Sequence, residues 1–255
     1  MAVSARTSEA AGGEGQGRRK AARRSGPNRK RMMQFYPRAA LRTRIVALPD
    51  LGLVYVKNPK AASSTILMWL DRLYTGDHSP TTWRNERAGH LPTADMVGWS
   101  VVTDMLCGSA FRFTFVREPL GRFESTYYNK VARLNNWRAK VQELMGVPDD
   151  PASPVTFEQF LSLVEQQDPL EMDLHWRPQH LNLMHPLVSY DLVGHVETFD
   201  RDLATIRQHV SLPDVAAEPR NVSSRKPRVS IYDGRPDLVR RVQQVYAKDF
   251  ELYGY

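Results

Sequence analysis

Short apolar runs along the chain are separated by amphipathic stretches, which is the pattern of β-strands alternating with α-helices. Residues 44–48 and Leu53–Val56 are two such runs, and the Pro-Asp-Leu-Gly sequence between them predicts a hairpin turn. Phe111–Val116 is apolar almost throughout, as in a strand buried within a parallel sheet. Residues 192–196 form a further apolar run. The pattern predicts a hairpin followed by two more core strands.

Apolar residues with helical spacing follow two of these strands. After Leu53–Val56 the apolar face consists of Ile66, Leu67, Trp69, Leu70 and Leu73. After Phe111–Val116 it consists of Leu120, Phe123, Tyr127, Tyr128 and Val131. Each strand is therefore expected to lead directly into a helix.

Later segments also carry helix signals. Thr156, with a glutamine three residues on, forms a capping-box pattern that predicts a helix over Phe157–Gln166. Further helices are expected over Phe199–His209 and residues 236–252, whereas residues 76–100 are mixed and predict a loop with short helical pieces. Strands that alternate with helices indicate an α/β fold with a mostly parallel sheet flanked by helices. In such sheets, ligands bind outside the C-terminal ends of the strands.

The first strand end with suitable chemistry follows Leu53–Val56. Lys60 supplies a mobile positive charge, and small and hydroxyl residues after it let a helix N-terminus approach an anion. These residues are Ala61, Ala62, Ser63, Ser64 and Thr65, which are predicted to open the helix. The G-x-x-x-x-G-K-[ST] pattern is absent, which disfavours an ATPase or a classical kinase. A P-loop-like nucleotide-binding core is still expected, because the segment has the same features for binding an anion. Taken alone, the segment is equally well explained as a capped helix with a surface lysine.

The second strand end follows Phe111–Val116. Arg117 ends the strand, and a proline then suits the first turn of the next helix, which carries Ser125 in its second turn. A guanidinium group with a hydroxyl is suited to a terminal phosphate. The alternative is that Arg117 pairs with Glu118 or Glu124 and that the serine lies on a polar face. Two phosphate sites in one sheet indicate a ligand with phosphates at two separated positions.

The positive charge of the chain belongs to its N-terminal end. Residues 1–31 hold nine Lys and Arg and two Asp and Glu, a net of +7, and the rest of the chain holds 26 of each sign. The low apolar content of residues 1–31 predicts a disordered basic tail, and residues 32–255 are expected to form one folded domain. Because that domain has no net charge, nucleic-acid binding by it is not expected.

Several function classes are disfavoured by what the sequence lacks. No apolar h-region follows the basic run and no run of 18 apolar residues occurs, so neither a secretory signal nor a membrane span is expected. The single Cys107 excludes an internal disulfide and fits a reducing compartment, so we expect a cytoplasmic protein. No metal-ligand spacing stands out, and no metal is expected.

Four segments, in order, resemble the carbohydrate (Golgi-type, family 2) sulfotransferase family. The first strand end is similar to that family's 5′-phosphosulfate-binding loop, and REPLGRFES, from Arg117 to Ser125, resembles its V-R-D-P-x-x-R-x-x-S motif for the 3′-phosphate. DLHWRPQ at residues 173–179 and YDLVGHVET at residues 190–198, with Asp202, resemble a later signature. DFELYGY at the end resembles the family's usual D-F-x-x-[FY]-x-Y. The resemblance covers residues 45–255.

The chain departs from the family pattern in three ways. Glu118 stands where aspartate is usual, and the cysteines that many Golgi members carry after the Trp-x-Pro-Gln segment are absent, as is their membrane anchor. The absences suit a soluble, bacterial member. They leave the identity of the acceptor undetermined.

The resemblance implies sulfuryl transfer from 3′-phosphoadenosine 5′-phosphosulfate to a hydroxyl group, in line and without a metal. The acceptor is expected to be a carbohydrate or glycolipid. Lys60 and the helix N-terminus would stabilise charge on the leaving phosphate, and Arg117 and Ser125 would anchor the 3′-phosphate.

The acceptor hydroxyl also needs a base, for which His90 is the first candidate. The resemblance extends to heparan sulfate 2-O-sulfotransferases, in which a histidine of a Gly-His segment at this place is the proposed base, and imidazole suits that role. His175, beside Trp176, is the rival, although a structural role is expected for it and for Glu197. Weak candidates for contact with the donor are Ser224, Arg225 and Lys226.

Two other functions remain open on the sequence. A nucleotide-dependent phosphotransferase could use the same loop but would need a metal-binding carboxylate site. A non-catalytic module that binds anionic polymers would depend on the basic tail.

Overall fold

The computed structural model describes residues 26–76, 90–133, 135–148, 150, 153–209, 217 and 229–255. In these residues the chain forms a four-stranded sheet. In pairing order the strands are β1 (Ile45–Leu48), β2 (Leu53–Val56), β3 (Phe111–Val116) and β4 (Leu192–His195). β1 pairs antiparallel with β2, whereas β2 with β3 and β3 with β4 are parallel pairs. The predicted hairpin, the core strands and the mostly parallel sheet are confirmed.

Helices connect and cover the strands. The α-helices of the described residues are α1 (Arg29–Met32), α2 (Arg38–Leu41), α3 (Ser63–Thr75), α4 (Ala94–Val97), α5 (Trp99–Asp104), α6 (Pro119–Thr126), α7 (Asn136–Leu144), α8 (Phe157–Gln166), α9 (Gln179–Asn182), α10 (Phe199–His209), α11 (Pro236–Val245) and α12 (Ala247–Tyr253). Single 3-10 turns lie at Pro49–Leu51 and Val196–Thr198, and π-helical turns at Met105–Ser109 and Tyr127–Val131. The predicted capping box at α8 is present, with both Thr156 and Gln159 making their hydrogen bonds.

The two faces of the sheet pack against different helices, because side chains alternate along each strand. One face, which includes Val54 and Val56, packs against α1, α2 and the segment after α9. The other face, which includes Tyr55 and Phe113, packs against α3 and α10. A third cluster contains no strand residue and forms where α6, α8 and α11 surround the buried Trp176. The sheet therefore has a hydrophobic core on each face.

Part of the predicted basic tail lies within the described residues. Residues 1–25 lie outside the described residues, but residues 26–31, which we assigned to a disordered tail, belong to the structure. Met32 is fully buried at the end of α1, and the Arg29 guanidinium lies 5.2 Å from the centre of the Trp99 ring. Tertiary contacts thus hold a segment whose composition favours disorder.

The long C-terminal helix is interrupted. The sequence predicted one helix over residues 236–252, but Tyr246 separates α11 from α12 with φ of −109° and ψ of 20°. Its buried hydroxyl donates to the carbonyl of Trp176 at 2.6 Å, within the third cluster. The contact explains why the chain bends at a residue that the helical pattern does not mark.

Candidate active site

The two junctions, which are the strand ends predicted to bind phosphate, lie at one edge of the sheet. β2 and β3 are neighbours and run parallel, so their C-terminal ends lie side by side. Lys57 follows the first of these ends and Arg117 follows the second. Because β4 also runs parallel, its end adds Val196 to the same edge. Ligand sites of parallel sheets form at such an edge.

The loop after β2 contains two non-glycine residues with left-handed backbone conformation. Lys60 has a φ of 68° and Ala62 a φ of 54°. This conformation costs a residue with a Cβ about 1–2 kcal/mol, and such strain concentrates at ligand sites. Because of this conformation, the helix begins at Ser63 and not at the predicted Ala61. Its N-cap is Ala62, whose side chain cannot accept a cap hydrogen bond. The N-terminus of α3 therefore lies beside Lys60 with the geometry of an anion site.

A buried arginine that sequence reasoning missed holds this loop in place. Arg122 of α6 donates from Nε to the carbonyl of Pro59 at 3.2 Å, from Nη1 to that of Arg177 at 3.0 Å and from Nη2 to that of Leu174 at 3.3 Å. Burial lowers the pKa of its guanidinium. The sequence signal was present, because Arg122 interrupts the apolar side of α6 next to the buried Phe123. Its position ties residues 174–177 to the loop that carries Lys60.

At the second junction, Arg117 is not paired with either neighbouring glutamate. Glu118 caps α6 instead, accepting from the backbone N–H groups of Leu120 at 2.9 Å and Gly121 at 2.6 Å. Glu124 accepts from the backbone N–H of Ile231 at 3.0 Å. Within the described part of the chain, no hydrogen bond or ion pair engages the Arg117 guanidinium. This half-buried cation at a strand end is available to an anionic group.

Ser125 lies on the helix face over which Arg117 extends. A Cβ added to Gly121 would lie 3.7 Å from Arg117 Nη2 and 3.8 Å from Nε, so the guanidinium rests against this glycine. Gly121 and Ser125 are four residues apart in α6 and therefore share a face. The absence of a side chain at residue 121 gives the guanidinium room on that face.

His90 is oriented by the carboxylate of Asp71, which lies in the second half of α3. Its Nδ1 lies 3.4 Å from Oδ2 of Asp71, whose Oδ1 accepts from the His90 backbone N–H at 3.1 Å. The imidazole is 66% exposed, whereas the aspartate side chain is 6% exposed. Asp71 follows Ser63 by eight residues, which is about 12 Å along the helix axis. The structure therefore does not bring His90 to the N-terminus of α3.

His175 is more deeply placed and belongs to a segment held by Arg122. Its Nδ1 lies 2.7 Å from Oδ1 of Asp173, and its ring packs edge-on against Trp137 with centroids 4.7 Å apart. Burial tends to raise the pKa of Asp173, but hydrogen bonds and charge from His175 outweigh it and hold that pKa below its ordinary value. An anionic aspartate fixes the imidazole in one orientation.

The contacts of Glu197 fit the structural role expected for it. Glu197 is exposed and accepts from the backbone N–H of Glu118 at 2.9 Å and from the hydroxyl of Tyr255 at 3.0 Å, which are structural contacts. Ser224, Arg225 and Lys226 lie outside the described residues.

Sequence comparison identifies the family of the chain. A profile of the Sulfotransferase family matches residues 43–255. The chain belongs to the Sulfotransferase family. The match includes both junctions and the segment that carries His175.

Curated relatives are carbohydrate sulfotransferases. Human carbohydrate sulfotransferase 14 is 30% identical over 158 residues, which are 57% of this chain and 42% of the relative. The zebrafish (Danio rerio) protein of the same name is 29% identical over 57% of this chain and 44% of its own length. Human carbohydrate sulfotransferase 9 is 25% identical over 80% of this chain and 51% of its own length. The aligned region thus spans about half the length of these sulfotransferases, and no solved structure matches significantly.

The described residues contain neither a metal-binding cluster nor a membrane-spanning helix. Among them, no group of three or more His, Cys, Asp or Glu side chains is arranged to hold a metal ion. No helix in the same residues has the length and apolar character needed to cross a membrane.

Proposed function

We propose that the chain transfers the sulfuryl group of 3′-phosphoadenosine 5′-phosphosulfate to a hydroxyl group of a carbohydrate or glycolipid. Family membership supports sulfuryl transfer, and the names of the relatives support a carbohydrate acceptor. The observation that carries the proposal is the pair of adjacent strand ends. One has a helix N-terminus without a side-chain cap beside Lys60, and the other has the Arg117 guanidinium without a protein partner in the described residues. The donor is anionic at its 5′ and 3′ positions, which suits two such sites.

Lys60 and α3 act at the 5′ end of the donor in this proposal. The acceptor oxygen forms a bond to sulfur, the bond from sulfur to the 5′-phosphate oxygen breaks, and adenosine 3′,5′-bisphosphate is released. Negative charge grows on that phosphate oxygen during the step. The Lys60 ammonium and the N–H groups of Ser63, Ser64 and Thr65 stabilise it, because they are fixed before the reaction begins.

Arg117 and Ser125 bind the 3′-phosphate and so set the orientation of the donor. A guanidinium can form two parallel hydrogen bonds to phosphate, and the serine hydroxyl adds a further donor on the same helix face. Their contribution is to hold the reacting sulfur where the acceptor can attack in line.

A histidine takes the proton of the acceptor hydroxyl. The sequence places His90 first for this role, but His90 is held beside Asp71, about 12 Å along α3 from the N-terminus of that helix. His175 is the alternative, because it is also paired with an aspartate and because its neighbours share Arg122 with the Lys60 loop. The two histidines are separated by experiment below.

A transfer assay tests the proposed function. The chain is incubated with donor that carries ³⁵S and with a panel of glycans and glycolipids, and in parallel with γ-³²P-labelled ATP. We expect ³⁵S in at least one acceptor and no ³²P in any. Lys60→Ala should abolish most of the ³⁵S transfer, whereas Lys248→Ala, at an exposed lysine of α12, should not. Transfer of ³²P would support the phosphotransferase instead.

A further inference from the structure

We infer that Gln179 is a positioning residue that fixes the spacing between the two phosphate sites, an inference that rests on the proposed function. Gln179 is the first residue of α9 and is fully buried. Its amide binds both peptide groups that flank the Arg117 α-carbon. The Arg117 N–H donates to Oε1 at 3.0 Å, and Nε2 donates to the Arg117 carbonyl at 2.8 Å. The backbone that presents the guanidinium is thereby fixed on both sides.

The same amide oxygen holds the other strand end. Asn58, which is fully buried in the loop before Lys60, donates from Nδ2 to Gln179 Oε1 at 2.9 Å and to the carbonyl of Phe115 at 3.0 Å. Its own carbonyl accepts from the backbone N–H of Ala61 at 3.4 Å. One side chain therefore connects the loop at the N-terminus of α3 with Arg117, the residue that follows β3.

Gln179 is itself anchored from the opposite side. The buried carboxylate of Asp249 in α12 accepts from the Gln179 N–H at 2.6 Å and from the His180 N–H at 2.9 Å. These bonds cap the first turn of α9 and fix the backbone from which the amide extends. The spacing of the two strand ends therefore depends on the C-terminal helix as well.

The pattern of bonds requires an amide. Oε1 accepts twice while Nε2 donates to a carbonyl, and a carboxylate at this position could not make the last bond. A ligand with two phosphates in one molecule needs both sites at a set separation, whereas a ligand with one phosphate does not. Loss of the amide should therefore weaken binding of the bisphosphate more than binding of the monophosphate.

Calorimetry with adenosine 3′,5′-bisphosphate and adenosine 5′-phosphate tests this. For Gln179→Leu we expect affinity for the bisphosphate to fall about three- to tenfold, as for the loss of one or two buried hydrogen bonds, and affinity for the monophosphate to change less than about twofold. Gln142→Leu is the matched control. Gln142 is a buried glutamine whose amide faces the carbonyl of Ser153 at 3.4 Å, away from both strand ends, so its loss should leave the affinity ratio unchanged.

The outcomes separate positioning from a merely structural role. If Gln179→Leu does not fold, Asn58→Ala carries the same expectation, because it removes one of the two donors to Gln179 Oε1. Equal loss for both ligands, or no loss for the bisphosphate in a folded variant, would overturn the inference. A wild-type chain that binds both ligands equally would contradict the proposed function, and the inference with it.

Discussion

The charge that matters most at the residue scale is that of Lys60, which the left-handed loop holds beside the N-terminus of α3. We predict that Lys60→Ala lowers kcat by about 10²-fold or more, the usual effect of removing one preorganised donor to a developing oxyanion. The Kd for adenosine 3′,5′-bisphosphate should change far less, because the ammonium is needed most as the leaving group forms. Steady-state kinetics and calorimetry measure the two quantities separately, with Lys248→Ala as the control. An unchanged kcat would remove Lys60 from the proposed chemistry.

Arg117 and Ser125 should distinguish the 3′-phosphate. We predict that Arg117→Ala and Ser125→Ala weaken binding of adenosine 3′,5′-bisphosphate by about one to two decades, since a hydrogen bond to a charged group is worth ~1.5–3 kcal/mol. Binding of adenosine 5′-phosphate should hardly change. Calorimetry with both ligands decides this, and equal losses for the two would show that these side chains do not contact the 3′-phosphate.

The two histidines differ in what their loss should do. If His90 is the base, as the sequence favours, His90→Ala lowers the single-turnover rate of sulfation by about 10²–10⁴-fold, the usual contribution of a general base, with donor binding intact. His175→Ala should instead reduce stability or acceptor affinity, because its ring packs against Trp137 and its carbonyl accepts from Thr126 at 2.9 Å. Rates across pH and thermal melts of both variants provide the measurement. A folded His175 variant that loses the rate, beside a His90 variant that keeps it, would assign the base to His175.

How far the sequence identifies site residues depends on where their partners lie. Lys60 and Arg117 can be proposed from the sequence alone. Each comes shortly after an apolar run, and that run predicts a strand whose end lies at a ligand site. Arg122 and Gln179 lie in the segments that resemble the family, but their roles do not follow from local pattern, because their partners are distant in sequence. Arg122 bonds the carbonyl of Pro59 across 63 residues, and Gln179 bonds Arg117 across 62.

The same distinction applies at the scale of elements. The hairpin of β1 and β2 and the capping box of α8 depend on neighbouring residues, and the sequence predicts both. The break at Tyr246 depends on a hydrogen bond to Trp176, and the order of residues 26–31 depends on burial of Met32. Neither contact can be predicted from the pattern of neighbouring residues.

Packing of β4 against β3 depends on the absence of a side chain at Gly194. A Cβ at this position would lie 2.6 Å from the Phe115 ring, which is itself fully buried. We predict that Gly194→Ala lowers the free energy of unfolding by about 1–3 kcal/mol, the usual cost of overpacking a core. Chemical denaturation measures this, and Ser189→Ala, at an exposed residue before the same strand, should stay within about 0.5 kcal/mol of wild type. Equal stability of the two variants would show that the ring moves aside at little cost.

At the scale of the whole molecule, much of the positive charge lies in a segment that precedes the family match. Residues 1–25 carry six Lys and Arg and two Glu, a net of +4, and precede the part of the chain that matches the family. We predict that a chain beginning at residue 26 folds and binds the bisphosphate as the full chain does. Removal of residues 1–33 should lower the melting temperature, because Met32 is buried against the sheet. Loss of bisphosphate binding in the chain that begins at residue 26 would give residues 1–25 a role in the site.

Distant parts of the chain converge on one edge of the sheet: the ends of β2 and β3, the segment held by Arg122, and Asp249 of α12. The central claim is that this edge binds the two ends of one ligand. Titration calorimetry of the wild-type chain with adenosine 3′,5′-bisphosphate, adenosine 5′-phosphate and adenosine 3′-phosphate tests it most directly. We predict that the bisphosphate binds at least about tenfold more tightly than either monophosphate, because each phosphate then adds a charge-assisted contact. A bisphosphate that binds no more tightly than the better monophosphate would contradict the claim.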